Sequence, residues 1–442
     1  MKKIVSLLLC LVLMVSLTSG VSVLAKRHVP KVTFIDETTF KILLEDEGEY
    51  YHEYYKILDG VLYSYGDDHA NVKAILPENK NTEIVIPSKI TCEGKDKTVF
   101  YINILSSFYK VENTPFANGK TLNNNISKIV IPDSVKWIKG LNNISSLERV
   151  EFGKNIERIE ESFYGCKNLK LDIDSEKFYA TDNELYEIDG KNKKLISVFK
   201  NPEVYEIPKE IIDFEMPFGK NNKSVKKIIV NHNIKSVNLK GLNSLTSFNA
   251  NGYEIKELTF EENNEIKKLD LSKAKIKKLN TLYLKNLVSL KTPNGIKEIN
   301  AKGCENLKKV NLPKSVKKIK YGNFVKTGFE TFKIPNSVTA VQPHTFSICP
   351  NLRKVTIPAS VKTIRVNTFQ GSKKLKKIVL YHKNPPKIHG GAFNDLSSGV
   401  KFYVKNKKVA VKLKKRLTKS DIKDARIYVN KKLVYKNITT VY

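Results

Sequence analysis

Ten positions of one recurring strand carry, in chain order, Lys128, Arg149, Lys227, Ser247, Lys268, Ser289, Lys309, Thr331, Lys354 and Lys377, and seven of the ten are basic. Each stands just before an inward-pointing apolar pair, so the alternation of side chains along a strand turns it outward. Equivalent positions of stacked parallel strands lie about 4.8 Å apart. Two like charges at that distance in water repel by roughly 0.9 kcal/mol before salt screening, a small cost repeated at every step. Such a column can grip an extended anion, and it can equally be a solvated strand face. The sequence leaves both readings open. The position between the apolar pair is mixed, with Glu151, Asp270, Lys291, Lys333 and Thr356 among its occupants. The candidate ligand-binding face is therefore Lys128, Arg149, Lys227, Lys268, Lys309, Lys333, Arg353, Lys354, Lys376 and Lys377.

The charge distribution favours a ligand. Residues 301–442 hold 33 Lys and Arg against 5 Asp and Glu, so most of the chain's net charge of +32 sits in its last third. A field this lopsided concentrates polyanions. For an exported chain the candidates are anionic wall polymers such as teichoic acid, sulfated glycosaminoglycans, anionic lipid surfaces and extracellular nucleic acid. Sequence-specific nucleic-acid reading is not expected, because no base-reading or stacking motif is present.

Catalytic chemistry finds little support. His344 and Cys349 are close in sequence, but a Cys-His nucleophile needs side-chain contact and a third orienting group. His344, His382 and His389 lack an Asp, Glu or Cys at ligand spacing, and no glycine-rich phosphate loop appears. The Tyr and acidic residues at 45–55 read as a solvated face. No catalytic residue, metal or cofactor is expected.

These positions are held by a repeat. Leu352, Val355 and Ile357 recur as Leu375, Ile378 and Leu380, and backwards as Phe329, Phe332 and Ile334, then Leu307, Val310 and Leu312. The frame is Leu-x-x-Val-x-Ile-Pro, then Ser-Val-x-x-Ile, then Thr-Phe, at a spacing of roughly 20–23 residues. A unit of that length cannot bury its own apolar face and must stack into a solenoid. Rungs at Val225/Ile228/Val230, Leu245/Phe248/Ala250, Ile266/Leu269/Leu271 and Leu287/Leu290/Thr292 are shorter and mostly lack the proline and the phenylalanine.

The expected organisation follows. Residues 1–25, with Lys2, Lys3, an apolar run and Val23-Leu24-Ala25, read as a signal peptide. Residues 26–83 form a hairpin-rich N-terminal cap with Asp59-Gly60 between apolar flanks, and 84–173 a first repeat block with an irregular excursion around Phe108. Residues 174–222 form an irregular insertion with a hairpin at Glu184–Lys200, 223–399 a second block, and 400–442 a basic C-terminal cap with a short helix at Lys407–Leu417 and a closing hairpin around Asn430-Lys431. No membrane span or C-terminal anchor is expected. Cys166, Cys304 and Cys349 share one turn position, filled once by Ser372, and read as buried free thiols, since stacking leaves Cys304 and Cys349 roughly 10 Å apart. Cys92 has no evident partner.

The stretches IPDSVKWIKG (131–140), IPNSVTAVQPHTFSICPNL (334–352), IPASVKTIRVNTFQGSKKL (357–375) and KNPPKIHGGAF (383–393) resemble the BspA-like leucine-rich repeats of bacterial surface and secreted proteins, over roughly residues 84–400. The chain departs from that pattern where Lys139, Lys320, Gln342 and Arg365 replace a glycine and Ser162, Asn323, Thr345 and Thr368 replace an alanine. The resemblance implies a leucine-rich-repeat solenoid of the α/β horseshoe class, β-rich, with a parallel sheet on one face and short turns or 3-10 segments on the other. It also implies a non-enzymatic extracellular role, adhesion to host proteins or other cells. Two alternatives remain: an enzyme-associated module overhung by the 184–200 hairpin, and a structural surface-layer component.

Overall fold

The computed structural model describes residues 31–439 except 36–38, 47–48, 60, 76–80, 104–124, 216, 219–221 and 420–421. The expected signal peptide and the excursion around Phe108 lie outside the described residues. The chain divides into two compact units, residues 1–201 with 217–219, and residues 202–216 with 220–442. Each is a stack of rungs.

A regular rung begins with a strand such as Lys354–Ile357, whose Val355 and Ile357 are buried. Proline then ends the strand, because it has no N–H for the ladder. The Pro358 carbonyl instead accepts the Val361 N–H at 3.2 Å, and the same turn recurs at Pro132, Pro208, Pro313 and Pro335. This turn delivers a second short strand, here Thr363–Ile364. The second strands pair in parallel with their neighbours, for example Glu254–Glu261 with Lys275–Leu282. Every regular rung thus contributes to two ladders, and the second runs where the sequence pattern suggests turns.

The loop that closes each rung accounts for the threonines that stand at 345 and 368. The residue two before the phenylalanine is left-handed at Glu161, His344 and Asn367, and at Gly322 and Gly391. Asn, His and Gly tolerate that region best. Thr345 and Thr368 are buried, and their hydroxyls donate to the Gln342 and Arg365 carbonyls at 2.7 and 2.8 Å. A threonine fits where alanine is usual because its polar group is satisfied locally. The phenylalanines that follow stack along the second unit. Ring centroids of Phe324, Phe346, Phe369 and Phe393 are 5.6, 5.8 and 5.8 Å apart, the last two pairs stacked with nearly parallel planes.

The cysteine slot has the same logic. Cys166 Sγ donates to the Leu141 carbonyl at 3.6 Å, Cys304 to Thr281 at 3.0 Å and Cys349 to Phe324 at 3.2 Å, in each case one rung back. Ser372 repeats the bond to Phe346 at 2.7 Å. All four described cysteines are buried, and Cys166, Cys304 and Cys349 are free thiols.

The first unit opens with an antiparallel meander, Lys31–Phe34, Thr39–Asp46, Glu49–Leu58, Val61–Tyr65 and His69–Ile75, whose last strand pairs in parallel with Lys95–Asn103. The hairpin Glu184–Asp189 and Asn192–Val198, joined by Phe178–Ala180, forms a three-stranded antiparallel sheet. Its Leu185 and the adjacent Phe199 are fully buried in the core of that unit, with Phe199 edge-on to Phe163 at 6.3 Å. Part of the hairpin thus packs into the core of its own unit, while its tip at 189–192 is exposed. The second unit begins earlier than the repeat pattern suggests: Val204–Ile207 pairs in register with Lys227–Val230, and Asp213–Glu215 with Ile234–Asn238. This rung has the Ile207-Pro208 turn but lacks the opening leucine, so its period is hard to see. At the other end, Lys401–Val404, Ala425–Val429 and Lys432–Ile438 extend the first ladder, and the helix Lys407–Leu417, capped by Asn406, buries Val409, Ala410, Leu413 and Leu417. Asn430 and Lys431 make the final hairpin turn in the left-handed region.

Candidate functional site

The basic positions singled out above fall on the first strands of the rungs, but their surroundings differ. In the first unit Glu83, Lys128, Arg149 and Lys170 are in register. Lys128 Nζ lies 2.9 Å from Glu83 and 3.2 Å from Glu151. Arg149 reaches Asp172 at 2.6 Å and Glu151 at 3.2 Å. The hydrogen bonds that Lys128 donates to Glu83 and Glu151 hold its ammonium above the usual lysine range. This column is internally neutralised.

In the second unit Lys227 is half-buried between Val204 and Ser247 of neighbouring strands. Lys268 and Lys309 are exposed and flank Ser289 in one three-stranded ladder. There Asp270 takes Lys291 at 2.8 Å, and that ion pair, with hydrogen bonds from Ser272, holds its carboxyl well below the usual range. The second strands of this unit also pair across rungs, Lys235 with Asp213, Lys277 with Glu254, Lys278 with Glu257 and Lys320 with Glu298, all at 2.6–2.8 Å.

The last sheet is different. Thr331, Lys354, Lys377, Lys401 and Arg426 are in continuous register, and beside them run Lys333, Thr356, Val379, Tyr403 and Tyr428. Phe332, Val355, Ile378, Phe402 and Ile427, which alternate with them, are buried. Both columns therefore share the opposite face. Among the described residues Lys354, Lys377 and Lys401 form no ion pair, and Arg426 meets Asp424 at 3.0 Å. Lys377 Nζ sits 4.3 Å over the Tyr403 ring, and Tyr403 stacks on Tyr428 with centroids 5.0 Å apart. Arg353 and Lys376 are exposed one residue ahead of their strands, and Lys376 Nζ donates to the Ser398 carbonyl at 3.1 Å.

The structure places Lys354 and Lys377 in register, as the sequence suggests, and sets beside them Lys401, Arg426, Tyr403 and Tyr428, which the repeat pattern does not single out. The missed signal is local. Lys401-Phe402-Tyr403-Val404 and Arg426-Ile427-Tyr428-Val429 repeat the pattern of Lys377-Ile378-Val379-Leu380, without the opening leucine and the proline that mark a rung.

The other candidates do not assemble. His344 contacts Ser347 Oγ at 3.4 Å and Asn367 Nδ2 at 3.2 Å, whereas Cys349 Sγ bonds to the Phe324 carbonyl and to Thr327 Oγ1 at 3.3 Å. Burial pushes the Cys349 thiol above its usual range, opposite to what a nucleophile requires. His382 is 2% exposed and donates Nε2–H to the Val361 carbonyl at 2.7 Å, and its burial lowers the imidazole pKa. Among the described residues no three His, Cys, Asp or Glu come together as metal ligands, and no helix is long and apolar enough to cross a membrane.

The chain is similar to a leucine-rich cell surface protein of Faecalibacterium prausnitzii at 14% identity, over 79% of this chain and 88% of that one, with a TM-score of 0.28. It is similar to the pneumococcal vaccine antigen PcpA at 16% identity, over 85% and 98%, TM-score 0.34, and to a leucine-rich repeat protein of Bacteroides ovatus at 15%, over 79% and 78%, TM-score 0.31. No curated protein matches. The family description of the BspA type leucine rich repeat region matches in six copies across residues 82–191, 122–239 and 280–400. With more than half of its length covered by that match, the chain belongs to the BspA-type leucine-rich repeat family.

Proposed function

We propose that this chain is a secreted or cell-surface binding protein, adhesin-like in role, whose basic leucine-rich-repeat surface holds a polyanionic macromolecule: a host glycosaminoglycan, a host protein with an acidic face, or an anionic cell-wall polymer. One observation carries the reading. Where the first unit pairs its ladder cations with carboxylates, the last sheet leaves Lys354, Lys377 and Lys401 without an ion-pair partner among the described residues. Mutual repulsion along such a column is unfavourable, and a bound polyanion relieves it.

The test is an array of glycans, wall polymers and host-matrix proteins probed with the full chain at low and high salt. Retention on acidic ligands that disappears as salt rises supports the reading, because contacts of this kind are screened over about 10 Å at 0.1 M. Retention on neutral ligands alone, indifferent to salt, would retire it.

A further inference from the structure

Resting on that reading, we infer that the last sheet binds one kind of ligand in one orientation: a linear polymer of closely spaced tetrahedral oxyanions, phosphate or sulfate groups, laid across the strands along the Lys354, Lys377, Lys401, Arg426 column. Three features point this way. The register is unbroken through these four residues, so the cations follow the stacking direction at about 4.8 Å per step and not the strand direction. A chain that ran along one strand would meet a single column cation before reaching the turn. A chain that runs across the strands meets all four.

The chemistry of the two columns is the second feature. Three of the four cations are lysines, compact point charges with rotatable donors, which follow a string of anions without imposing a planar geometry on it. The third feature is the neighbouring aromatic pair. Tyr403 and Tyr428 stack on each other, and Lys377 covers the remaining face of Tyr403, so these rings present edges and hydroxyls and leave little free ring face. Hydroxyl donors beside cations fit phosphate or sulfate oxygens. Base stacking needs open ring faces, which sets this surface apart from a single-stranded nucleic-acid platform.

The helix Lys407–Leu417 supplies an internal control. It exposes Lys407, Lys408 and Lys415 in the same unit, off the column. Two full-length variants with the same change in net charge are therefore compared, K354E/K377E/K401E on the column and K407E/K408E/K415E on the helix, with K354Q/K377Q/K401Q held ready should the first fail to fold. The probes are orthophosphate, tripolyphosphate and long-chain polyphosphate, with heparin as the sulfated arm.

The expected result is negligible orthophosphate binding, affinity that climbs from tripolyphosphate to the long chain, and a salt slope of about −3 in log K against log salt, taking ~0.7 per contact for four contacts. The column variants lose at least tenfold and the slope falls to about −1, while the helix variant stays within a few-fold of the parent. Binding of either polymer through the column supports the proposal, and the stronger arm identifies phosphate or sulfate as the source. Equal losses in column and helix variants, or tripolyphosphate as tight as the long chain, would overturn the inference and leave polyanion binding standing. Failure of the parent chain to bind any polyanion at low salt would remove the proposed function itself.

Discussion

The two ends of the chain solve one electrostatic problem in opposite ways. In the first ladder Lys128 and Arg149 are each matched by a carboxylate on an adjacent rung, so their charge is balanced within the scaffold. Around Lys377 the same geometric position stays cationic for several rungs, and the neighbouring column turns aromatic. Nothing in the backbone forces the difference, since both ladders are parallel and in register. The scaffold sets where side chains project, and only the identity of the projecting residue decides whether the column is a structural seam or a binding surface.

That comparison can be broken or sharpened experimentally. The largest effect is expected in the phenylalanine stack. Phe369→Ala removes a fully buried ring between Phe346 and Phe393 and is expected to cost about 3–5 kcal/mol in denaturant unfolding followed by circular dichroism. Phe152→Ala in the first unit, where the ring is only partly buried beside Phe163, should cost clearly less. Equal losses would show that the two units are not stabilised differently.

Next comes the thiol slot. Cys349→Ala strands the Phe324 carbonyl and removes the thiol's contact with the Thr327 hydroxyl, at about 1–3 kcal/mol. Cys349→Ser keeps the donor, as Ser372 already does one rung later, and should cost less than about 1.5 kcal/mol. A serine variant as unstable as the alanine variant would dismiss the bond as the reason for the slot.

The third prediction tests charge matching directly. E83Q/E151Q/D172N should turn the first ladder into an uncompensated column and raise long-chain polyphosphate affinity on the order of fivefold at low salt, ~1 kcal/mol for exposed pairs. No gain would mean that pairing is not what separates the two ends.

The smallest effect is a pH limb. Burial holds the His382 imidazole below its ordinary value of 6.5. A group whose pKa is depressed on folding stabilises the fold above its unfolded value and loses that contribution as pH falls. Thermal midpoints should therefore decline below about pH 6.5, and His382→Gln, which keeps a donor for the Val361 carbonyl, should flatten that decline. An unchanged acid limb in the variant assigns it to other groups.

Much of this architecture is legible in the sequence because a solenoid repeats its instructions. The apolar triplet, the proline turn and the shared cysteine position each recur, so one rung teaches the next. The helix Lys407–Leu417 is legible for a different reason: an Asn cap precedes a run of good helix formers with apolar residues at helical spacing. What escapes is whatever appears once. The rung at 204–215 lacks its opening leucine, and Lys401 and Arg426 sit in strands without the proline, so no periodic signal links them to Lys377. The pairing of Lys128 with Glu83 was also hidden, since two residues far apart in sequence meet only once rung order and register are known.

The buried thiols have a consequence for how motion in this molecule can be followed. Burial pushes Cys166 and Cys304 up to about 12, and each thiol's proton is directed at a carbonyl of the preceding rung. While two rungs stay together such a thiol is neither exposed nor ionised, and thiolate is the reactive form. Its alkylation therefore reports parting of that one seam. Because a solenoid opens locally and each repeat touches only its neighbours, Cys166, Cys304 and Cys349 are three separate clocks, one in the first unit and two in the second, that time how often each seam opens without any added label.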